Sequence, residues 1–257
     1  MCELLGISAK RKIKINGLLE PFFSHSTNHR NGWGLALLDE DQFSIDKEPK
    51  MALDSLYLRS KLEHDIEASK CIAHIRRATI GDVAAGNTHP FLRKDDSGRT
   101  WILAHNGTIF ESEPLRPFQY IQEGTTDSER ILLYIVDAVN KRAAEKGGLL
   151  GEGDRIATIE NAIKNITPGN KVNLIIYDGE LFYVHKNQEK TLYMKEGGDR
   201  VICSTAPLSP EGWREFPQNR LMVYRDGRLV YAGSPHNNTY VHNEERMKLL
   251  YFAYSGL

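Results

Sequence analysis

The sequence predicts an α+β layered domain. Two observations carry that reading. Short β-rich runs lie both before and after a central helical block, and turn signals join consecutive runs in the second half of the chain. A doubly wound sheet would instead alternate strand and helix along the whole chain.

The first runs, 33–38 (WGLALL) and 42–46 (QFSID), predict a strand pair joined by an acidic turn. Runs 70–76 (KCIAHIR) and 101–105 (WILAH) predict buried strands that lead into loops. Thr126-Asp127-Ser128-Glu129 has the form of a capping box. Ile131, Leu132, Ile135, Val136 and Val139 then recur at helical period, which predicts a helix to about residue 145. Residues 147–153 (GGLLGEG) form a loop, and a second helix is expected over 155–166 with Asp154 as its N-cap. After Pro168-Gly169 the runs 172–177, 180–185, 190–194, 200–205, 221–225 and 228–232 predict strands. Asp178-Gly179 and Asp226-Gly227 are the hairpin signals between them. From about residue 234 the pattern fades and no element is assigned. Residues 1–257 are read as one domain, with that tail left open.

Composition narrows the function classes. The 257 residues are 40% hydrophobic and 26% charged, with a formal net charge of −1. Such a chain lacks the basic excess that holds a phosphate backbone, so nucleic acid is not an expected partner. No apolar run approaches the ~20 residues that span a bilayer, so no membrane is expected. The basic residues Lys10 to Lys14 follow the first apolar stretch, the reverse of a secretory signal, and a cytoplasmic location is expected. Three widely spaced cysteines, Cys2, Cys71 and Cys203, do not suggest a disulfide framework. Zinc-type ligand pairs are lacking, so neither metal nor organic cofactor is expected. Cys71 and Cys203 lie inside apolar runs and read as core. The glycines of 147–153 lack the Gly-Lys-Ser/Thr of a phosphate loop.

Cys2 stands out by position. Removal of Met1 would leave a nucleophile and an α-amine on one Cα. The amine has an ordinary pKa of about 8 and the thiol one of about 8.5. Cys2 would then contain its own nucleophile–base pair, with no need for a histidine partner.

Six segments, the first of them containing Cys2, form an ordered set. They are Met1-Cys2-Glu3-Leu4-Leu5-Gly6, Asn31-Gly32-Trp33-Gly34, Ala73-His74-Ile75-Arg76-Arg77-Ala78-Thr79, Thr88-His89-Pro90, His105-Asn106-Gly107-Thr108-Ile109 and Thr126-Asp127-Ser128-Glu129. In order and approximate spacing, this set resembles the class II, or N-terminal-nucleophile, glutamine amidotransferases, and in particular their stand-alone members. The resemblance implies an Ntn-hydrolase sandwich: four αββα layers with two stacked, mainly antiparallel sheets.

It also implies roles. Cys2 matches the nucleophile. Asn106 and Gly107 match the oxyanion hole, through a side-chain amide and a backbone N–H. An Asn-Gly pair is equally the signature of a type I′ hairpin turn, and the strand and histidine before it favour the functional alternative. Arg76 matches the arginine that takes the substrate α-carboxylate, a task suited to a planar fork. Its neighbour Arg77 would point to the opposite face of a strand. Thr79 would bond the same carboxylate. Asp127 matches the acid that holds the α-ammonium, and it would also complement a helix dipole. His74 and His89 either support the pocket or are packed structural histidines. Cys203-Ser204-Thr205 could approach the site late in the fold.

Relatives fused to synthases commonly carry Trp in place of Arg77 and His in place of Ile80. Only about 130 residues follow Asp127 here, which leaves no separate acceptor domain. The resemblance therefore implies glutamine, or a γ-glutamyl small molecule, as substrate. Ammonia would pass to an unknown acceptor or a partner synthase. A hydrolase of γ-glutamyl amides is the alternative, and a third is an inactive amidase fold kept as a binding module.

Overall fold

The computed structural model describes residues 2–254. Met1, whose removal the sequence reading requires, lies outside them, as do residues 255–257. The strands are β1 (Glu3–Lys14), β2 (Trp33–Leu37), β3 (Ser44–Glu48), β4 (Glu67–Ile75), β5 (Phe91–Lys94), β6 (Thr100–Thr108) and β7 (Lys171–Tyr177). They continue as β8 (Phe182–Lys186), β9 (Tyr193–Glu196), β10 (Arg200–Ser204), β11 (Arg214–Glu215), β12 (Arg220–Arg225) and β13 (Arg228–Ala232). The helices are α1 (Asn16–Ser24), α2 (Leu56–Leu62), α3 (Asp127–Lys146), α4 (Glu152–Ile166) and α5 (Glu244–Tyr254).

One sheet has seven strands in the order β11-β9-β10-β1-β4-β2-β3, and the other six in the order β13-β12-β8-β7-β6-β5. Neighbouring strands pair antiparallel in both. The layers follow from alternation along each strand. In β6, Trp101 and Leu103 join Val172, Leu174 and Ile176 of β7 in a core with α3 and α4. Ile102 and Ala104 turn the other way, with Ile175 of β7, Ile72 of β4 and Leu4 of β1, and fill the space between the sheets. A third core joins the far face of the seven-stranded sheet, through Leu5, Cys71, Ala73 and Ile75, to Leu19, Phe22 and Phe23 of α1. The result is the expected αββα sandwich.

The N-cap half of the capping box forms as read: the Thr126 hydroxyl accepts from the Glu129 amide at 3.3 Å and opens α3, while the Glu129 carboxylate turns to the amides of Glu123 and Gly124. Asp226 and Gly227 both have positive φ, at 50° and 75°, so this two-residue hairpin is of type I′.

Several boundaries differ from the sequence reading. Residues 42–43 belong to a turn, in which the Gln42 amide bonds the Asp39 carbonyl at 3.0 Å, and the strand starts at Ser44. Gly151, not Asp154, is the N-cap of α4, and Asp154 sits in the first turn, paired with Lys146 at 3.2 Å. The loop at Asp178-Gly179 is longer than two residues, because the Asp178 carboxylate accepts from the amides of Glu180 and Leu181. Lys190 has a left-handed φ of 54°, which delays β9 to Tyr193.

Strand β1 and helices α1 and α2 went unassigned in the sequence. Asn16 explains where α1 sits: its side chain accepts from the Ile66 amide at 2.8 Å and donates to the carbonyls of Leu62 and His64. The tail also has structure. Arg246 of α5 lies 4.3 Å from the Phe110 ring centre, and Tyr240 stacks on the same ring.

Candidate active site

Alternation decides which side chains face the space between the sheets. Leu4 and Ile72 point inward, so Cys2, His74 and Arg76 lie on the same inner faces of their strands or strand ends. On the opposing sheet Ile102 and Ala104 point inward, and Asn106 continues their row. Arg76 is 2% exposed while Arg77 is exposed. The two arginines therefore part as the strand period requires.

Cys2 is half-buried and immediately precedes Glu3, which pairs with Ile75 of β4. Its Sγ donates to the Arg77 carbonyl at 3.4 Å and accepts from the Arg77 amide at 3.4 Å. Burial pushes the thiol pKa up, while the Arg77 amide and the charges of Arg76 and Lys171 oppose that rise. Lys171 is itself buried, and loss of solvent pulls its ammonium down to about 8 against the attraction of Cys2.

The Arg76 guanidinium is held by a loop. Nη1 donates to the Asp82 carbonyl at 2.7 Å, and Nη2 donates to those of Ile80 and Gly81 at 3.0 and 2.9 Å. These use three of its five N–H groups. The backbone beside it is tied to the Asn-Gly-Trp-Gly segment: the Arg76 amide bonds Gly32 O at 2.7 Å, and the Ala78 amide bonds Asn31 Oδ1 at 3.0 Å. Thr79 is half-buried within that loop. Asn87 links the loop to the start of α3, donating to the Asp82 carbonyl at 3.0 Å and accepting from the Thr125 amide at 2.7 Å.

Asp127, 6% exposed, begins α3, and its Oδ2 accepts from the Ile109 amide at 2.8 Å. The helix start thereby fixes the chain just beyond Asn106-Gly107. Its carboxylate and the Arg76 charge attract one another.

Asn106 and Gly107 do not form a turn. Both lie within β6, opposite Asn173 and Val172 of β7. A Cβ on Gly107 would come within 2.0 Å of Lys171 O and 2.2 Å of His105 Nε2, so the strands cross too closely for a side chain. His105 Nε2 donates to Lys171 O at 3.1 Å, and its Nδ1 then accepts from Ser128 Oγ at 3.0 Å. Burial lowers the pKa of His105, which suits that neutral tautomer. His74 and His89 pack ring on ring, with centroids 4.0 Å apart, and their four buried ring nitrogens have no hydrogen-bond partner among the described residues. Burial, first, and neighbouring positive charge hold both well below the usual histidine range.

The sequence reading did not single out Lys171, Asn87 or Asn31 as individual contributors. Lys171 and Asn173 are polar residues two apart in an otherwise apolar strand, which is the signal that could have found them. Thr205, raised only as a late approach, reaches Asn106: the amide Nδ2 lies 3.3 Å from its Oγ1.

The sequence profile of class-II glutamine amidotransferases matches residues 1–197. The chain belongs to the class-II glutamine amidotransferases. An uncharacterized protein of Methanocaldococcus jannaschii is 30% identical over 90% of this chain and 71% of its own length. A Haemophilus influenzae protein, provisionally named a glutamine amidotransferase, is 26% identical over 90% of this chain and 86% of its own. Among solved structures, the glutamine phosphoribosylpyrophosphate amidotransferase of Bacillus subtilis superposes with a TM-score of 0.67 at 16% identity. That match covers 93% of this chain but 50% of the Bacillus subtilis chain, and at such identity it speaks for the fold alone. No helix among the described residues is long and apolar enough to cross a membrane.

Proposed function

We propose that this chain hydrolyses the γ-carboxamide of glutamine through a γ-glutamyl thioester on Cys2 and releases ammonia. The observation that carries the proposal is the convergence of Cys2, Arg76 and Asn106 on facing inner surfaces of the two sheets, with Asp127 bonded to the backbone just beyond Gly107.

In this reading Met1 is removed and the freed α-amine takes the thiol proton. The thiolate adds to the amide carbon. The new oxyanion is met by the Asn106 side-chain amide and the Gly107 backbone N–H, each worth roughly 10²–10³ in rate. The intermediate collapses, and ammonia leaves with the proton carried by the α-ammonium. Water, deprotonated by the same amine, then cleaves the thioester to glutamate and regenerates the thiol. Arg76 and Thr79 hold the substrate α-carboxylate, Asp127 holds its α-ammonium, and the Lys171 ammonium favours the thiolate.

Residues 1–257 would act as one such unit and hand ammonia to an acceptor or to a partner synthase. The test follows glutamate release from glutamine and from γ-glutamyl amides with larger leaving groups, alongside labelling by a diazo-ketone glutamine analogue. Glutamine turnover and labelling that both vanish in Cys2→Ala are expected. Preferred cleavage of the larger amides would favour the hydrolase alternative. Equal labelling of wild type and Cys2→Ala would end both.

A further inference from the structure

We infer that Thr205 is a positioning residue that sets the direction of the Asn106 amide and ties it to the strand carrying Cys2. The inference rests on the oxyanion role proposed for Asn106.

Thr205 follows β10 directly, on the face defined by Val201 and Cys203, which fill the space between the sheets. It is locked to β1 by two bonds. Its amide donates to the Leu4 carbonyl at 3.0 Å, and its Oγ1 accepts from the Leu4 amide at 2.9 Å. The same Oγ1 accepts from Asn106 Nδ2 at 3.3 Å. A threonine hydroxyl has two acceptor sites, and these two donors occupy them.

Asn106 depends on this contact. It is 1% exposed, and its Oδ1 has no hydrogen-bond partner among the described residues. The amide could rotate at little cost if the Thr205 hydroxyl were absent. With Nδ2 engaged by Thr205, one N–H is used and the second remains for an oxyanion. The contact also crosses between the sheets: Asn106 belongs to the six-stranded sheet, while Leu4 and Thr205 belong to the seven-stranded sheet or its edge. The amide of the oxyanion donor is thus linked to the strand of the nucleophile through one hydroxyl.

The experiment is a double-mutant cycle on the full chain. Thr205→Val keeps the shape and removes the acceptor. Its kcat for glutamine is expected to fall roughly 10–100-fold, less than the loss of a whole donor, with KM changed less than about 3-fold. Thr205→Ser is expected to stay within about 3-fold of wild type. In an Asn106→Ala background, Thr205→Val is expected to cost nothing further, because there is no longer an amide to orient. If Thr205→Val proves unfolded, Thr205→Ala and Thr205→Ser complete the same cycle. Additive losses, or a wild-type kcat in Thr205→Val, would overturn the inference. A Cys2→Ala variant as active as wild type would instead overturn the proposed function beneath it.

Discussion

The Cys2 sulfur lies 3.4 Å from both the backbone nitrogen and the carbonyl oxygen of Arg77, the exposed member of the arginine pair. The thiol is therefore registered by main chain rather than by a basic side chain, and its accessibility separates it from the other two cysteines. Cys71 and Cys203 are fully buried, and burial drives both thiols far above the ordinary range. Iodoacetamide at pH 8 is expected to alkylate Cys2 in the native protein and to leave Cys71 and Cys203 unmodified until denaturant is added. Peptide mass spectrometry reads the result. Native-state modification of either buried cysteine at a comparable rate would contradict this arrangement.

Gly107 tolerates no side chain. Gly107→Ala would drive a methyl into the Lys171 carbonyl at 2.0 Å, and that atom belongs to the backbone and cannot swing aside. Destabilisation of about 2–3 kcal/mol is expected in urea unfolding. Any folded fraction is expected to have lost at least ~100-fold in glutamine turnover, through displacement of the amide. Gly153→Ala, inside the first turn of α4 where a Cβ meets nothing nearby, serves as the control.

Arg76 and Arg77 should differ sharply despite being adjacent. Arg76→Lys keeps the charge but offers a single Nζ in place of the two guanidinium nitrogens that reach the three carbonyls of 80–82. Each unpaired carbonyl costs roughly 1–3 kcal/mol. The expected outcome is a fall in kcat/KM of about 100-fold or more, with KM bearing most of it. Arg77→Ala, exposed and touching Cys2 only through its backbone, is expected to remain within about 3-fold of wild type. Steady-state kinetics on the two variants decides.

Lys171 gives a pH signature. Its folded pKa of about 8 lies below the ordinary 10.5. Between those values the unfolded chain holds a proton that the folded chain has released, so this group makes folding more favourable as pH rises through the window. Below pH 8 the whole cost of the buried charge is present, on the order of 3 kcal/mol. Lys171→Met is expected to raise the urea midpoint at pH 7 and to lose most of that advantage by pH 10, while glutamine turnover falls. A variant less stable than wild type at pH 7 would refute the assignment.

How far the sequence carried the site depends on whether a residue's partners were near it in the chain. The Thr126 cap and the α3 periodicity are local, and both were legible. The parting of Arg76 and Arg77 follows from strand period alone. Strand β1 was missed because Leu4, Leu5 and Ile7 are buried on both faces while Lys10, Arg11 and Lys12 run beyond, so neither alternation nor a clean apolar run appears. Helix α1 is short and contains Pro21, which masks its period. The bond from Leu4 to Thr205 joins residues 201 positions apart, and nothing in local pattern announces it. Asn106-Gly107 looks like a hairpin turn in isolation; only the pairing with Asn173 and Val172 makes it mid-strand.

The central position of β1 also orders events during synthesis. Its register joins Glu3 to Ile75 on one side and Leu5 to Ser204 on the other. The second edge cannot close until about 200 residues have been made, which at ordinary rates of synthesis takes on the order of 10–40 s. Through that interval the amino end is only half enclosed by its sheet. In the proposed mechanism, an aminopeptidase acting on the nascent chain would reach that end before the sandwich shuts, so that removal of Met1 and folding need not compete.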